Sequence, residues 1–119
     1  MDPIKEMLGI FIEKQDEESV VNFLETLLSH TVFIPVFKDG KPDILADMDG
    51  DRFYPVFTQI EEAQDEYVDV QWEELPFPDV LDRLENIETV DAVVVNPFTE
   101  NVRLPEELIR GLREQIKTM

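Results

Sequence analysis

The sequence predicts an α/β (α+β) fold: a single domain over residues 1–119, with helices packed on a mixed five-stranded sheet. Three observations indicate this class. Apolar residues recur at helical spacing near both ends of the chain. Short β-branched and aromatic runs, separated by turn residues, fill the middle. Helices and strands then alternate, which is typical of a mixed sheet. The predicted element order is ααβββαβαβα.

Two helices are predicted to begin the chain as a hairpin joined near Lys14 and Gln15. The first covers residues 3–14, and the second follows Asp16, whose carboxylate can cap a helix amino terminus. His30 follows the second helix, where we expect it to cap the carboxyl end. Each helix carries one apolar stripe, formed by Ile4, Met7, Leu8, Phe11 and Ile12 and by Val20, Phe23, Leu24, Leu27 and Leu28.

Three strands are predicted next, as an antiparallel meander over residues 31–37, 44–48 and 52–57. The turn between the second and third strands contains glycine, which tolerates a positive φ. The first and third strands contain Pro35 and Pro55, which cannot donate ladder hydrogen bonds. We therefore expect these strands to have edges that remain available for pairing with a partner.

A short helix is predicted from Thr58 to about Gln64, because Thr58 and Glu61 have the spacing of a capping box. In that motif, the threonine hydroxyl accepts the glutamate amide and the carboxylate accepts the threonine amide. Residues 67–72 alternate between apolar and polar positions, which predicts the fourth strand.

A helix is predicted after Pro76, with Val80, Leu81, Leu84 and Ile87 on its buried side. Residues 92–95 lack alternation, which predicts a central strand covered on both faces. Asn96 and Pro97 end this strand. Pro105 suits the first turn of the last helix, whose inner stripe consists of Leu108, Ile109, Leu112 and Ile116.

Charge and composition exclude several classes of function. The chain carries 28 acidic and 10 basic residues, a net charge of −18. Such a charge opposes binding to nucleic acid or to an anionic membrane surface. The chain has no cysteine, so it can form neither a disulfide nor a thiolate metal site. We expect no secretory signal, no spanning segment and a cytoplasmic location.

Motifs for common chemistries are missing from the sequence. The four glycines are too dispersed for a phosphate-binding loop or a dinucleotide fingerprint. The segment from Asp47 to Asp51 has alternating carboxylates, but an EF-hand loop counted from Asp47 would have Arg52 and Thr58 where glycine and glutamate are needed. Neither serine lies in a nucleophile elbow. We therefore predict no catalytic residue, metal site or cofactor.

Four motifs in this order resemble the N-terminal domain of SseB proteins, a bacterial family named for enhanced serine sensitivity. They are Phe33-Ile34-Pro35-Val36, the segment from Asp49 to Thr58, Leu75-Pro76-Phe77, and Val93-Val94-Val95-Asn96-Pro97-Phe98. The similarity covers roughly residues 20 to 115. It implies a mixed α/β fold and a bacterial cytoplasmic protein, and it transfers no catalytic residue.

The sequence therefore favours a non-enzymatic protein-interaction module that binds a partner protein or forms a homodimer. The candidate interaction residues are Arg52, Tyr54, Trp72, Asn96 and Phe98. The alternatives are structural: an internal salt bridge for Arg52, backbone bonding for Asn96 and core packing for Trp72 and Phe98. A small-ligand or regulatory domain, binding an amino acid, is the alternative function. An enzyme ranks last, and a polar pocket joining Arg52, Tyr54 and Asn96 would revive it.

Overall fold

In the computed structural model, the helices pack on one face of the β-strands. The structure describes residues 3–46, 48–84 and 90–117. The helices are α1 (Pro3–Lys14), α2 (Glu17–Leu28), α3 (Phe77–Leu84) and α4 (Glu106–Lys117). The strands are β1 (Thr31–Phe37), β2 (Leu45–Ala46), β3 (Arg52–Val56), β4 (Val70–Pro76), β5 (Ala92–Val95) and β6 (Val102–Pro105). A 3-10 helix covers Ile60–Ala63. None of the helices in the described part is long and apolar enough to span a membrane.

The strands form two sheets, so the predicted single sheet and its antiparallel meander of the first three strands are wrong, because β1 pairs with β4 while β2 pairs with β3. One contains β1 and β4, which pair antiparallel over seven residues each. The other has the order β2-β3-β5-β6, with β3 and β5 parallel and both outer pairs antiparallel. A single antiparallel bridge joins the two sheets, because Phe33 and Phe57 exchange both of their backbone hydrogen bonds, at 2.8 and 2.9 Å.

Two prolines explain why this bridge does not continue as a ladder. The antiparallel register that Phe33 and Phe57 define places Pro35 opposite Pro55, two residues further along. Residues two apart on a strand direct their backbone groups to the same side, so each proline lies where an amide donor is needed. The edges of β1 and β3 therefore face each other, and neither faces a partner protein as the sequence suggested. We call the line where Pro35 and Pro55 meet the proline seam.

The main correction to the predicted fold is a sixth strand. The element order is ααβββ, a 3-10 helix, then βαββα, because Val102–Pro105 forms β6 beside β5. Pro105 ends this strand, and α4 begins at the next residue. The class of mixed α/β fold is confirmed, and β5 is buried throughout between β3 and β6, as predicted. Ile87 and Asp47 lie outside the described residues.

All four helices contribute to one hydrophobic core on a single face of the strands. The core joins Leu8, Phe23 and Leu27 of the first two helices to Val80, Leu81, Ile109 and Leu112 of the last two. The strands contribute alternate residues, including Val32, Ile34, Val36, Tyr54, Val56, Val93 and Val95. Asp16 caps α2 by accepting the Ser19 amide at 2.8 Å. His30 Nδ1 lies 2.7 Å from the Thr26 carbonyl at the other end of this helix, as predicted.

The opposite face of the strands carries a second, smaller apolar cluster. Phe53, Ala92 and Val94 form it, with Leu45 packed against them. The guanidinium of Arg103 lies 4.3 Å from the centroid of the Phe53 ring, a distance typical of a cation–π contact. This face also carries the aromatic residues that form the candidate site.

Candidate functional site

The candidate site lies where the carboxyl ends of the parallel strands β3 and β5 meet. Ligands of mixed sheets commonly bind at this position, because the loops leaving two adjacent strands diverge there. The loops here are residues 57–69 and 96–101. Non-glycine residues adopt left-handed backbone conformations in both loops: Gln64, Asp65 and Asp69 in the first and Asn96 and Asn101 in the second. Side chains of the two loops form a polar network and an aromatic cluster.

Asn96 is the centre of the polar network. Asn96 is fully buried, and its φ is +51°, a backbone conformation that asparagine tolerates better than most residues. Its backbone amide donates to the Val56 carbonyl at 2.9 Å. Its side-chain oxygen accepts the Thr58 amide at 2.9 Å, and Nδ2 donates to Thr58 Oγ1 at 3.1 Å and to Glu100 Oε1 at 2.9 Å. Asn96 therefore fastens both loops to each other.

The predicted capping box at Thr58 is wrong. The 3-10 helix begins after Gln59, which makes no side-chain capping bond, and the Thr58 amide is already taken by Asn96. A buried amide needs a hydrogen-bond partner, and the Asn96 side chain supplies it from another loop. Sequence spacing identified the right segment, but the actual partner of Thr58 lies 38 residues away.

Two carboxylates complete the polar network. Thr99 Oγ1 lies 2.6 Å from Glu62 Oε2 and 2.9 Å from Glu100 Oε1. Lys5 of α1 forms a salt bridge with Glu62, and its ammonium lies 3.7 Å from Glu100 Oε2. Bonding to Glu62 raises the pKa of Lys5. Burial raises the pKa of Glu100, but bonds from Asn96 and Thr99 and the charge of Lys5 together hold it below its usual value.

The aromatic cluster consists of Phe57, Tyr67, Trp72 and Phe98. Phe57 is fully buried at its centre, with ring centroids 5.3 Å from Trp72, 5.9 Å from Tyr67 and 6.0 Å from Phe98. Tyr67 lies 5.6 Å from Trp72 and 6.1 Å from Phe98. Most of these pairs meet edge to face, the arrangement that ring quadrupoles favour. The cluster thus brings together the predicted residues Trp72 and Phe98.

Part of the aromatic cluster reaches the surface. Phe98 is 37% exposed, and Val68, which follows Tyr67, is 77% exposed. The Tyr67 hydroxyl donates to Asp43 Oδ2 at 2.7 Å, and burial together with this carboxylate raises its pKa. A phenol held as a donor fixes the orientation of its ring. The cluster is therefore a rigid aromatic surface bordered by acidic residues.

Arg52 and Tyr54 do not join the site. Arg52 begins β3, about 13 Å from Val56 at the rise of an extended strand, and its amide donates to Asp91 at 2.9 Å. Tyr54 points into the helix-covered core, where burial raises the pKa of its hydroxyl. No described residue hydrogen-bonds that hydroxyl. The predicted polar residues are thus separated, and Asn96 alone belongs to the site.

A small cleft lies beside the polar network, between the start of α1 and β1. Its volume is about 170 Å³, and its lining includes His30, Thr58, Gln59 and Glu74. Small-molecule sites usually have volumes of at least about 300 Å³. No group of three or more His, Asp or Glu side chains in the described ranges is placed to hold a metal ion.

Sequence reasoning missed Phe57 and Tyr67 as members of the cluster, and Lys5, Glu62, Thr99 and Glu100 as members of the network. The available signal was the density of rings in residues 53–57 and 67–72. None of the curated proteins compared with the chain matched it. The sequence model described as SseB protein N-terminal domain matches residues 4–111. The chain therefore belongs to the SseB N-terminal-domain family.

Proposed function

We propose that this chain is a non-enzymatic protein-interaction domain whose contact surface is the aromatic cluster. The observation that carries the proposal is the convergence of Trp72 and Phe98 on the buried ring of Phe57, with Phe98 still 37% exposed. Aromatic residues anchored on a rigid base and reaching solvent are the usual energetic centres of protein interfaces. Val68, the residue after Tyr67, adds a further exposed apolar side chain.

The polar network supports a structural role for the neighbouring acidic and amide groups. Asn96, Thr58, Thr99 and Glu100 bond one another, and the single positive charge of Lys5 lies close to the carboxylates of Glu62 and Glu100. Groups committed to such bonds hold the loops in place beneath the aromatic surface. A preorganised loop loses little conformational entropy when it binds, which favours affinity.

The charge of the chain favours a partner protein over a homodimer. Two copies would each carry a net charge of −18 and would repel each other at low ionic strength. Residues 57–69 contribute Glu61, Glu62, Asp65, Glu66 and Asp69 and no basic residue. A partner with a basic surface would be attracted to this side of the molecule. The family resemblance supports a bacterial cytoplasmic setting for this interaction, which cell fractionation would test.

Site-specific photo-crosslinking tests the proposal. We would replace Phe98 with a photoreactive phenylalanine analogue in cells, and place the same analogue at Val21 as a control. Val21 is 45% exposed on α2, so its accessibility matches that of Phe98. The proposal predicts a discrete crosslinked protein at position 98 only.

The crosslinked partner is then purified and its affinity for the chain is measured. Truncation of a central aromatic residue costs about 2 kcal/mol or more, so Phe98→Ala should weaken binding about 30-fold, whereas Val21→Ala should leave it unchanged. Equal crosslinking at both positions, or equal affinity of both variants, would contradict the proposal.

A further inference from the structure

The outer edge of β4 is the longest strand edge left open in the described part of the molecule. β4 pairs with β1 on one side, and no other described strand pairs with it. The other outer strands are less accessible to pairing. β2 has only two residues, and β6 has four and ends in Pro105. Natural proteins often protect sheet edges by shortness and proline. β4 also ends in a proline, Pro76, but six residues without proline precede it.

The hydrogen bonds of β1 determine which backbone groups of β4 point outward. Phe33 bonds Phe57, and Phe37 bonds the turn beyond β1, so both direct their groups away from β4. Their partners in the register are Glu74 and Val70, with Trp72 between them. In an antiparallel pair, two opposite residues that do not hydrogen-bond each other both direct their backbone N–H and C=O groups away from the partner strand. The amides and carbonyls of Val70, Trp72 and Glu74 therefore face the open edge.

Trp72 connects this edge to the aromatic surface. Its ring lies 5.3 Å from Phe57 and 5.6 Å from Tyr67, while its backbone groups face outward. Glu74, two residues further along the same edge, is exposed, and its carboxylate accepts the Thr31 hydroxyl at 3.1 Å. A chain lying along β4 would therefore meet hydrogen-bonding groups, an aromatic side chain and a negative charge at alternate positions.

We propose that β4 accepts an extended, basic segment of a partner protein as an additional strand, with Lys or Arg opposite Glu74 and an apolar residue beside Trp72. This inference rests on the proposed interaction function. Main-chain hydrogen bonds supply affinity in this mode of binding, and alternate side chains supply specificity. Opposite charges across a strand pair stabilise it, and the net charge of −18 accelerates the approach of a basic segment.

Hydrogen exchange and a peptide titration, both followed by NMR on the full chain, test the inference. Without peptide, the Trp72 and Glu74 amides should exchange faster than those of Gln71 and Glu73, which face β1. The probe is a capped peptide of about eight residues, the length of an ordinary strand, with Thr at every second position and with Lys and Val taking turns at the positions between, so that one face carries both Lys and Val. It should slow exchange at Trp72 and Glu74. The same peptide with Pro in place of each Val should not, because it lacks the amide that would pair with Trp72, and the peptide with Glu in place of each Lys should bind more weakly.

Proline substitution tests the same geometry. Glu74→Pro removes an outward amide, so the protein should fold while peptide affinity falls about tenfold, the equivalent of one net hydrogen bond. Glu74→Gln keeps the amide and should retain strand pairing with reduced salt dependence. Glu73→Pro removes an amide that faces Ile34 and should lower the melting temperature. If Glu74→Pro fails to fold, the exchange measurement on the unchanged protein decides the question.

Several results would overturn the inference. These are no protection of the β4 amides, equal protection by the peptide with Pro in place of Val, equal binding of the peptide with Glu in place of Lys, or unchanged affinity in Glu74→Pro. Protection of Trp72 and Glu74 in a dimer without peptide would show that a second copy occupies the edge. If the partner crosslinked at Phe98 depends on Phe98 but not on the Glu74 amide, aromatic docking stands and strand addition is wrong.

Discussion

Replacing Asn96 should be among the most damaging changes at the surface loops of this protein. Asn96→Gly keeps the left-handed backbone but removes three side-chain bonds. The buried Thr58 amide loses its partner, at about 1–3 kcal/mol, and each of the other bonds contributes about 1 kcal/mol. The expected loss is therefore about 3–5 kcal/mol, a large part of the 5–15 kcal/mol that stabilises a typical domain.

Asn96→Ala should be less stable than Asn96→Gly, because an alanine side chain in a left-handed conformation costs about a further 1–2 kcal/mol. Asn101 supplies the control. It has a φ of +53° but an exposed side chain, so Asn101→Ala should show the backbone cost alone. Equilibrium denaturation, followed by the fluorescence of Trp72, the only tryptophan, measures all three variants. Losses below about 1 kcal/mol in both Asn96 variants would refute the assigned role of this network.

Three other substitutions test backbone conformation and charge. Gly111→Ala, in the exposed interior of α4, should raise stability by about 0.5–1 kcal/mol, whereas Gly40→Ala, at a φ of +84°, should lower it by about 1–2 kcal/mol. In both cases the added Cβ would meet no atom within 4 Å, so thermal melts that change in the same direction would contradict the conformational explanation. Lys5→Met should raise the pKa of Glu100, which NMR titration of its carboxyl group measures. Because folding lowers this pKa, the stabilisation from Glu100 is present above the unfolded value near 4.3 and is lost as the pH falls through the folded value. The variant should therefore have a smaller stabilisation from Glu100, and its loss should be complete at a higher pH. An unchanged Glu100 titration would show that Lys5 does not influence it.

Much of the fold could be predicted from local patterns, because helical stripes and turn residues act over short distances. The stripe around Leu8 and the cap at Asp16 both lie in the structure where the sequence suggested. The burial of β5 followed from its unbroken apolar run. β6 was missed because Val102, Arg103 and Leu104 form too short an alternation to recognise, and pairing with β5 decides their conformation.

The candidate site was less predictable, because its parts come from distant segments. Trp72 and Phe98 are the predicted anchors, but their common contact with Phe57 depends on how β3 pairs with β5 and on how β1 pairs with β4 and with Phe57. The local capping box at Thr58 was a reasonable interpretation of spacing, and a bond from Asn96 replaced it. Sequence spacing describes neighbours along the chain, whereas these contacts depend on the register between strands.

The proline seam has a consequence for temperature. In the part of the chain that the structure describes, the two hydrogen bonds between Phe33 and Phe57 are the only backbone pair that crosses it, so buried side chains such as Ile34 and Val56 hold the two sheets together. Burial of apolar surface loses strength as water cools. On cooling, the sheet of β1 and β4 should therefore separate from the sheet of β2, β3, β5 and β6 before the rest of the domain unfolds. The contact between the two sheets should be the cold-sensitive part of the domain.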